Sequence, residues 1–217
     1  MKILASLTVA LLCVVPAARL ARRAGVSGVR AHTNQREEVK PPSDDPASAQ
    51  PQTGGAREPL KLPLAEPRVV VSKSARRLEL YSQGRVVRAY RVALGSDPVG
   101  DKERAGDRRT PEGDFYVCVK NAASKFTLSL GLSYPNREDA ERGLRDHLIT
   151  RAQRDRIVAA IDRRVRPPWD TALGGEIFIH GGGASSDWTW GCVALDDADI
   201  RELFDAVPLG TPVQITH

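Results

Sequence analysis

Between Ala31 and Pro67 the chain carries Pro41, Pro42, Pro46, Pro51, Pro59, Pro63 and Pro67, together with the pair Gly54 and Gly55, and few large apolar residues. A stretch of this composition cannot bury enough apolar surface to offset the entropy lost on ordering it. Folding is thereby confined to the residues after Pro67. The composition predicts a disordered tether over residues 19–67 and a single domain over residues 68–217. About 150 residues is an ordinary size for one domain.

Ahead of the tether, Lys2 leads into an apolar run from Ile3 to Val15 that closes with Pro16, Ala17 and Ala18. The run is short for a membrane span and reads as a secretory signal over residues 1–18, with Val15 and Ala17 at the small-residue positions of a cleavage site. An uncleaved N-terminal anchor is the competing reading, and the one route to a membrane that the sequence offers. Leu12, just before Cys13, is too large for a lipoprotein cleavage box. The expected location is therefore outside the cytoplasm, in the periplasm or cell envelope. Such compartments favour disulfides. Beyond the signal only Cys118 and Cys192 remain, and the sequence leaves open whether they pair or stay free. The net charge of +5 comes mostly from scattered arginines. No dense basic run with interleaved aromatics is present, so a nucleic-acid partner is not expected. Oligomeric state is not legible.

From Arg68 the texture becomes that of a mainly β fold with a mixed or antiparallel sheet, sandwich-like, and a few peripheral helices. Val69 to Val71 reads as a short strand. Arg77 to Ser82 alternates apolar and polar, turns at Gln83 and Gly84, and returns as Arg85 to Leu94, which predicts a hairpin. A polar loop from Gly95 ends in a turn at Pro111 and Gly113. Asp114 to Lys120 and Thr127 to Leu132 read as further strands. A helical insertion comes next, with a capping box at Thr150 and Gln153 and an apolar stripe of Ile157, Val158, Ile161 and Val165. Glu176 to His180 and Val193 to Leu195 read as strands. Asp196 is placed to cap a helix whose apolar face is Ile200, Leu203, Phe204 and Val207, and Val213 to Thr216 closes the sheet.

The chemistry concentrates in IHGGGASSDWTWGC, Ile179 to Cys192. Thiol catalysis needs the thiolate, and an unperturbed thiol with a pKa of about 8.5 is mostly protonated at neutral pH. An imidazole nearby can take that proton. His180 leaves one strand and Cys192 enters another, so neighbouring strands would bring the two to one sheet edge. Gly181 to Gly183 admit close backbone approach, and a carbonyl there can fix the tautomer of the imidazole. Gly191 allows a tight turn with amides directed at an oxyanion. Two other readings fit the same spacing. Cys192 can be an inert buried thiol, or a metal ligand with His180, Asp187 and either His147 or His217; no CxxC or HxxxH spacing supports the metal, and no cofactor is implied. Cys118 reads as a second-layer thiol. Arg109 is a candidate for a substrate carboxylate, and Trp188 and Trp190 for stacking on sugar or peptide.

The combination FIHGGG with TWGCVAL resembles the signature of the YkuD-type L,D-transpeptidase catalytic domain, a histidine-glycine followed by Ser/Thr-x-Gly-Cys. LELYSQGRVVRAYRVALG, GDRRTPEGDFYV and LGTPVQI resemble the opening strands, the Thr-Pro-x-Gly loop and the closing strand of that family. LSYPNREDAER is similar to a subgroup with a Tyr-Pro-Asn segment ahead of the histidine. The resemblance spans roughly Arg68 to Thr216. It implies an enzyme that transfers acyl groups on peptidoglycan stem peptides, with Cys192 as nucleophile, His180 as base, the Gly181 carbonyl orienting that base, and the Gly191 and Cys192 amides as oxyanion hole. The acyl group would pass from Cys192 to an amine, or to water. Two positions depart from the common pattern. Thr189 and Trp190 stand where most members have serine and histidine, giving a Trp-Gly-Cys signature, and Ala194 stands where they have arginine or asparagine. These changes put Thr189 and Trp190 at the rim of the substrate site. They keep open an L,D-carboxypeptidase or amidase that hydrolyses stem-peptide or peptidoglycan–protein bonds, and a non-catalytic wall-binding domain.

Overall fold

The computed structural model describes residues 57–217. The expected signal at residues 1–18, Cys13, and most of the expected tether lie outside the described residues.

The fold is mainly β. Eight strands form one mixed sheet: β1 (Arg68–Ser72), β2 (Arg77–Ser82), β3 (Arg85–Arg91), β4 (Gly113–Asn121), β5 (Ser129–Leu132), β6 (Phe178–His180), β7 (Val193–Ala194) and β8 (Pro212–Thr216). Their order across the sheet is β3-β2-β1-β8-β4-β5-β6-β7. The β1–β8 and β6–β7 pairs are parallel and the others antiparallel. Alternation in the sequence decides which side chains turn inward. Val69 and Val71, Leu78 and Leu80, Phe115 and Val117, and Val213 and Ile215 are all buried in one core with Leu130, Leu132, Ile179, Val193 and Leu195. The chain beyond β3 comes back to the far side of the sheet, where Ala93 bridges Ala194 and Gly95 bridges Thr189. β3 itself lies at an edge of the sheet and carries Arg85, Arg88 and Arg91.

Three helices attach to this frame: α1 (Arg137–Arg145), α2 (Arg151–Asp162) and α3 (Asp197–Ala206). The capping box at Thr150 is present: Gln153 N–H donates to the Thr150 hydroxyl at 3.2 Å, and the Thr150 N–H to the Gln153 side chain at 2.8 Å. α2 ends before Val165, which is exposed, so the apolar stripe is one residue shorter than its spacing implied. α1 was not expected, because its inward stripe is short and mostly small: Ala140, Gly143 and Leu144. Its reciprocal cap joins Asn136 and Asp139, and its buried face is Asp139, Ala140 and Gly143. α1 and α2 share a small core of Ala140, Ile149, Ile157 and Leu173. On α3, Ile200, Leu203 and Val207 are buried as their spacing required, but Asp196 does not cap the helix with its side chain. Its carboxylate instead accepts the Ala184 N–H at 3.1 Å, which ties the helix start to the glycine loop.

The boundary drawn at Pro67 from composition also moves. Leu60 and Leu64 pack against the main core. The Ala65 carbonyl accepts the Gln83 N–H at 3.0 Å and the Ser82 hydroxyl at 2.8 Å, and Arg57 pairs with Asp199 at 2.8 Å. Composition alone misses this because two leucines among prolines carry no periodicity. A chain beginning at Arg68 should therefore be less stable than one beginning at Arg57 by about 2 kcal/mol, the scale of partly burying two leucines. A thermal melt should show this as a midpoint lower by about 4–8 °C. Equal melting temperatures would show that residues 57–67 contribute nothing.

Candidate active site

The parallel register of β6 and β7 sets the site. Ile179 pairs with Val193 and His180 with Ala194. Ile179 and Val193 point into the core. Strand alternation therefore turns His180 and Cys192 to the other face, where Cys192 immediately precedes β7. The two residues that the sequence singled out are brought to one sheet edge.

The imidazole of His180 is buried and held in one tautomer. Its Nδ1 lies 2.6 Å from the Gly181 carbonyl, so Nδ1–H donates and Nε2 is left bare to accept a proton. The Phe126 ring stacks on it at 4.6 Å and Trp188 meets it edge-on at 5.6 Å. Burial holds the imidazole below its ordinary pKa, an effect opposed by the Gly181 hydrogen bond. No sequence signal points to Phe126, an exposed aromatic in a polar loop. Asp197 was also missed: its carboxylate accepts the Gly182 N–H at 2.9 Å.

Cys192 is free, as is Cys118. The Cys192 Sγ accepts the Phe178 N–H at 3.4 Å and donates to the Glu176 carbonyl at 3.6 Å. Burial pushes the thiol up to about 11, partly offset by the Phe178 N–H and by Lys102, and reinforced by the Glu176 carboxylate. Burial thus favours the uncharged form of both groups, the thiol and the neutral imidazole. Burial likewise raises Cys118 to about 11.

The backbone of the cysteine is clamped from two loops. The Thr189 hydroxyl donates to the Cys192 carbonyl at 2.8 Å, and the Thr110 hydroxyl reaches the same oxygen at 3.4 Å while accepting the Gly95 N–H at 2.9 Å. Two glycines make this approach possible. A Cβ at Gly95 would sit 2.0 Å from the Arg108 carbonyl oxygen, and one at Gly191, whose φ is +122°, would sit 2.6 Å from the Arg109 carbonyl oxygen. Thr189 is therefore buried and committed to backbone, and does not lie at the substrate rim as expected. The same hydroxyl accepts the Gly191 N–H at 3.1 Å, so that amide does not point freely at an oxyanion.

The remaining expectations separate. Arg109 pairs with Asp97 at 3.0 Å and approaches Glu103 at 3.8 Å, so its charge is already met. Trp188 donates its indole N–H to the Gly183 carbonyl at 3.1 Å and packs at the imidazole. Trp190 is 69% exposed, with Arg108 over its ring. Asp187 accepts a forked contact from Arg76, at 3.1, 3.0 and 2.7 Å, and also the Leu94 N–H at 2.8 Å, so it anchors the loop. Among the described residues no three His, Cys, Asp or Glu side chains cluster as metal ligands would, and no helix is long and apolar enough to cross a membrane.

The model of the YkuD L,D-transpeptidase catalytic domain matches residues 66–215. The chain belongs to this family. It is an enzyme family that acts on peptidoglycan stem peptides. Solved structures of similar fold include the helical cell shape determining protein Pgp2 (K307A mutant) from Campylobacter jejuni, with 21% identity and a TM-score of 0.51 over 71% of this chain and 48% of that one. Bd1075 from Bdellovibrio bacteriovorus is 20% identical with a TM-score of 0.47, over 70% of this chain and 48% of that one. An L,D-transpeptidase from Mycobacterium smegmatis is 13% identical with a TM-score of 0.42, over 70% and 59%. The L,D-transpeptidase domain here thus spans about half of the first two. No curated protein matches the chain.

A resting thiol at about 11 has a kinetic signature. Because the raised pKa keeps Cys192 protonated through neutral pH, its alkylation by iodoacetamide should accelerate about tenfold per pH unit from 7 to 10 and level near 11. Peptide mass spectrometry after timed quenching measures it. A rate already level at pH 8 would require a preformed thiolate.

Proposed function

We propose that this domain is a cysteine-dependent acyltransferase on peptidoglycan stem peptides. One observation carries the reading: within a chain of this family, the Gly181 carbonyl holds Nδ1–H of His180 and leaves Nε2 bare on the sheet face that it shares with Cys192. In this reading Nε2 takes the thiol proton as substrate arrives. Sγ attacks the carbonyl between the L-centre of diaminopimelate and the terminal D-alanine. The tetrahedral intermediate places its negative oxygen at the Cys192 amide; the Gly191 amide joins it by releasing Thr189. Collapse breaks the C–N bond, and the imidazolium returns its proton to the D-alanine nitrogen. A thioester remains on Cys192. An amine that loses its proton to His180 then attacks, forms the new amide and frees the thiol.

Hydrolysis is the second reading, with water in place of the amine. It is favoured by Ala194, which is fully buried and paired with Ala93 and His180, and so offers no polar group to an acceptor. Residues 1–18 in this proposal export the chain to the cell envelope as a signal or anchor, and the proline-rich segment holds the domain clear of the membrane.

Cys192→Ala should abolish processing of a disaccharide-tetrapeptide, and His180→Ala should lower it by about 10²–10⁴-fold. The double variant should match the worse single one, since either residue alone lacks its partner. Mass spectrometry of the products separates new crosslink, exchanged D-amino acid and released tripeptide. Wild-type turnover by Cys192→Ala would end the proposal, and no product from the folded wild type would leave a wall-binding domain.

A further inference from the structure

Of the two adjacent arginines on the loop that packs against the Cys192 turn, Arg108 rather than Arg109 carries an unmet charge. The two arginines are adjacent in the chain but their surroundings differ. Arg109 has Asp97 at 3.0 Å and Glu103 at 3.8 Å. Arg108 has no acidic partner among the described residues, and its guanidinium carbon lies 4.8 Å from the centre of the Trp190 ring. Trp190 is 69% exposed and stands two residues before Cys192. A guanidinium stacked on an indole keeps its in-plane N–H groups free, and a planar carboxylate can take two of them at once.

The backbone beneath this stack is fixed. Arg108 sits at φ +61°, a left-handed conformation that a long side chain adopts only when its surroundings enforce it. Its carbonyl accepts the Asp97 N–H at 3.2 Å and packs against Gly95, and the next carbonyl, of Arg109, packs against Gly191. These contacts hold the Arg108 loop against the Cys192 turn and present an unpaired cation on an exposed aromatic face beside it. From this arrangement we infer that Arg108, preorganised by Trp190, is a specificity residue that binds a free carboxylate flanking the scissile bond of the peptide substrate. The inference rests on the stem-peptide reading above and adds to it the group that is recognised and the residue that recognises it.

The test is direct binding in the Cys192→Ala background, where nothing is turned over. Calorimetric titration would compare the tetrapeptide L-Ala–D-Glu–diaminopimelate–D-Ala with two versions, one carrying a terminal carboxamide and one amidated on diaminopimelate. One of the two amidated peptides should bind about 10–100-fold more weakly than the parent, the scale of a charge-assisted contact. Arg108→Gln should weaken the parent to the level of that amide, with no change for the amide. Arg108→Lys should recover part of the preference, and Trp190→Leu should lose part of it. Melting curves of each variant would show that it is folded. Equal binding of all three peptides, a preference that survives Arg108→Gln, or no binding of any peptide would overturn the inference. Wild-type turnover, measured separately, decides the catalytic proposal. Turnover without carboxylate preference leaves that proposal standing and removes this one; carboxylate preference without turnover does the reverse.

Discussion

The site depends on the register of a two-residue strand. β7 is Val193 and Ala194 alone, and its parallel pairing with β6 puts Cys192 on the face of His180. A slip of one residue would turn Cys192 into the core and Val193 out. So short a strand cannot fix its own register, and its surroundings supply the constraint. The Leu195 N–H donates to the His180 carbonyl at 2.8 Å, and the Gly183 N–H to the Leu195 carbonyl at 2.8 Å. From the other side Ala93 and Ala194 exchange both backbone hydrogen bonds, at 2.9 and 2.8 Å. Val193 and Leu195 are both completely buried, so the alternative register would also expose two large apolar side chains.

Around that strand, much of the support is backbone gripping backbone. The Cys192 carbonyl is held by Thr189 from its own turn and by Thr110 from the loop after β3, and Gly95 and Gly191 let the two loops close on each other. The hydroxyl of Thr189 serves two groups at once, Gly191 N–H and Cys192 C=O. Buried and unexposed, it resembles a structural pin more than a recognition group. The loop from Gly181 to Gly191 is fastened separately, by Asp187 to Arg76, by Asp196 to Ala184 and by Asp197 to Gly182. Histidine and cysteine therefore sit on a rigid seat although neither contributes to the apolar core.

How much of the fold is legible in the sequence depends on how local each signal is. Strand alternation in Arg77–Ser82 and Val213–Thr216, and the cap at Thr150, are properties of neighbouring residues, and all of them hold in the structure. Helix α1 is hard to read because its inward face is mostly small or charged, Asp139, Ala140 and Gly143 with Leu144 its one large apolar side chain, and Arg142 bridging Asp139 and Asp101 does part of the holding. The side-chain role of Asp196 failed for a different reason: a cap residue chooses between its own helix and whatever donor the fold brings near, here Ala184. Arg108 and Arg109 are indistinguishable in sequence, and only the folded position of Asp97 separates the paired one from the unpaired one. The same holds for the Gly191 amide, whose availability depends on where the Thr189 hydroxyl turns.

The two edges of the sheet are not treated alike. One, at β7, is covered by the chain that returns from β3 through Ala93 and Gly95. The other, β3, pairs on one side only with β2 and keeps a row of backbone groups along its outer side. An open edge of this kind is a template for a strand of another copy. Arg85, Arg88 and Arg91 are spaced along it, with Arg88 bound to Glu202 at 2.9 Å. Bringing two such edges together would oppose arginine to arginine at each end. Among the described residues, sheet extension from one molecule to the next is thus opposed by charge at the edge where hydrogen bonding would allow it.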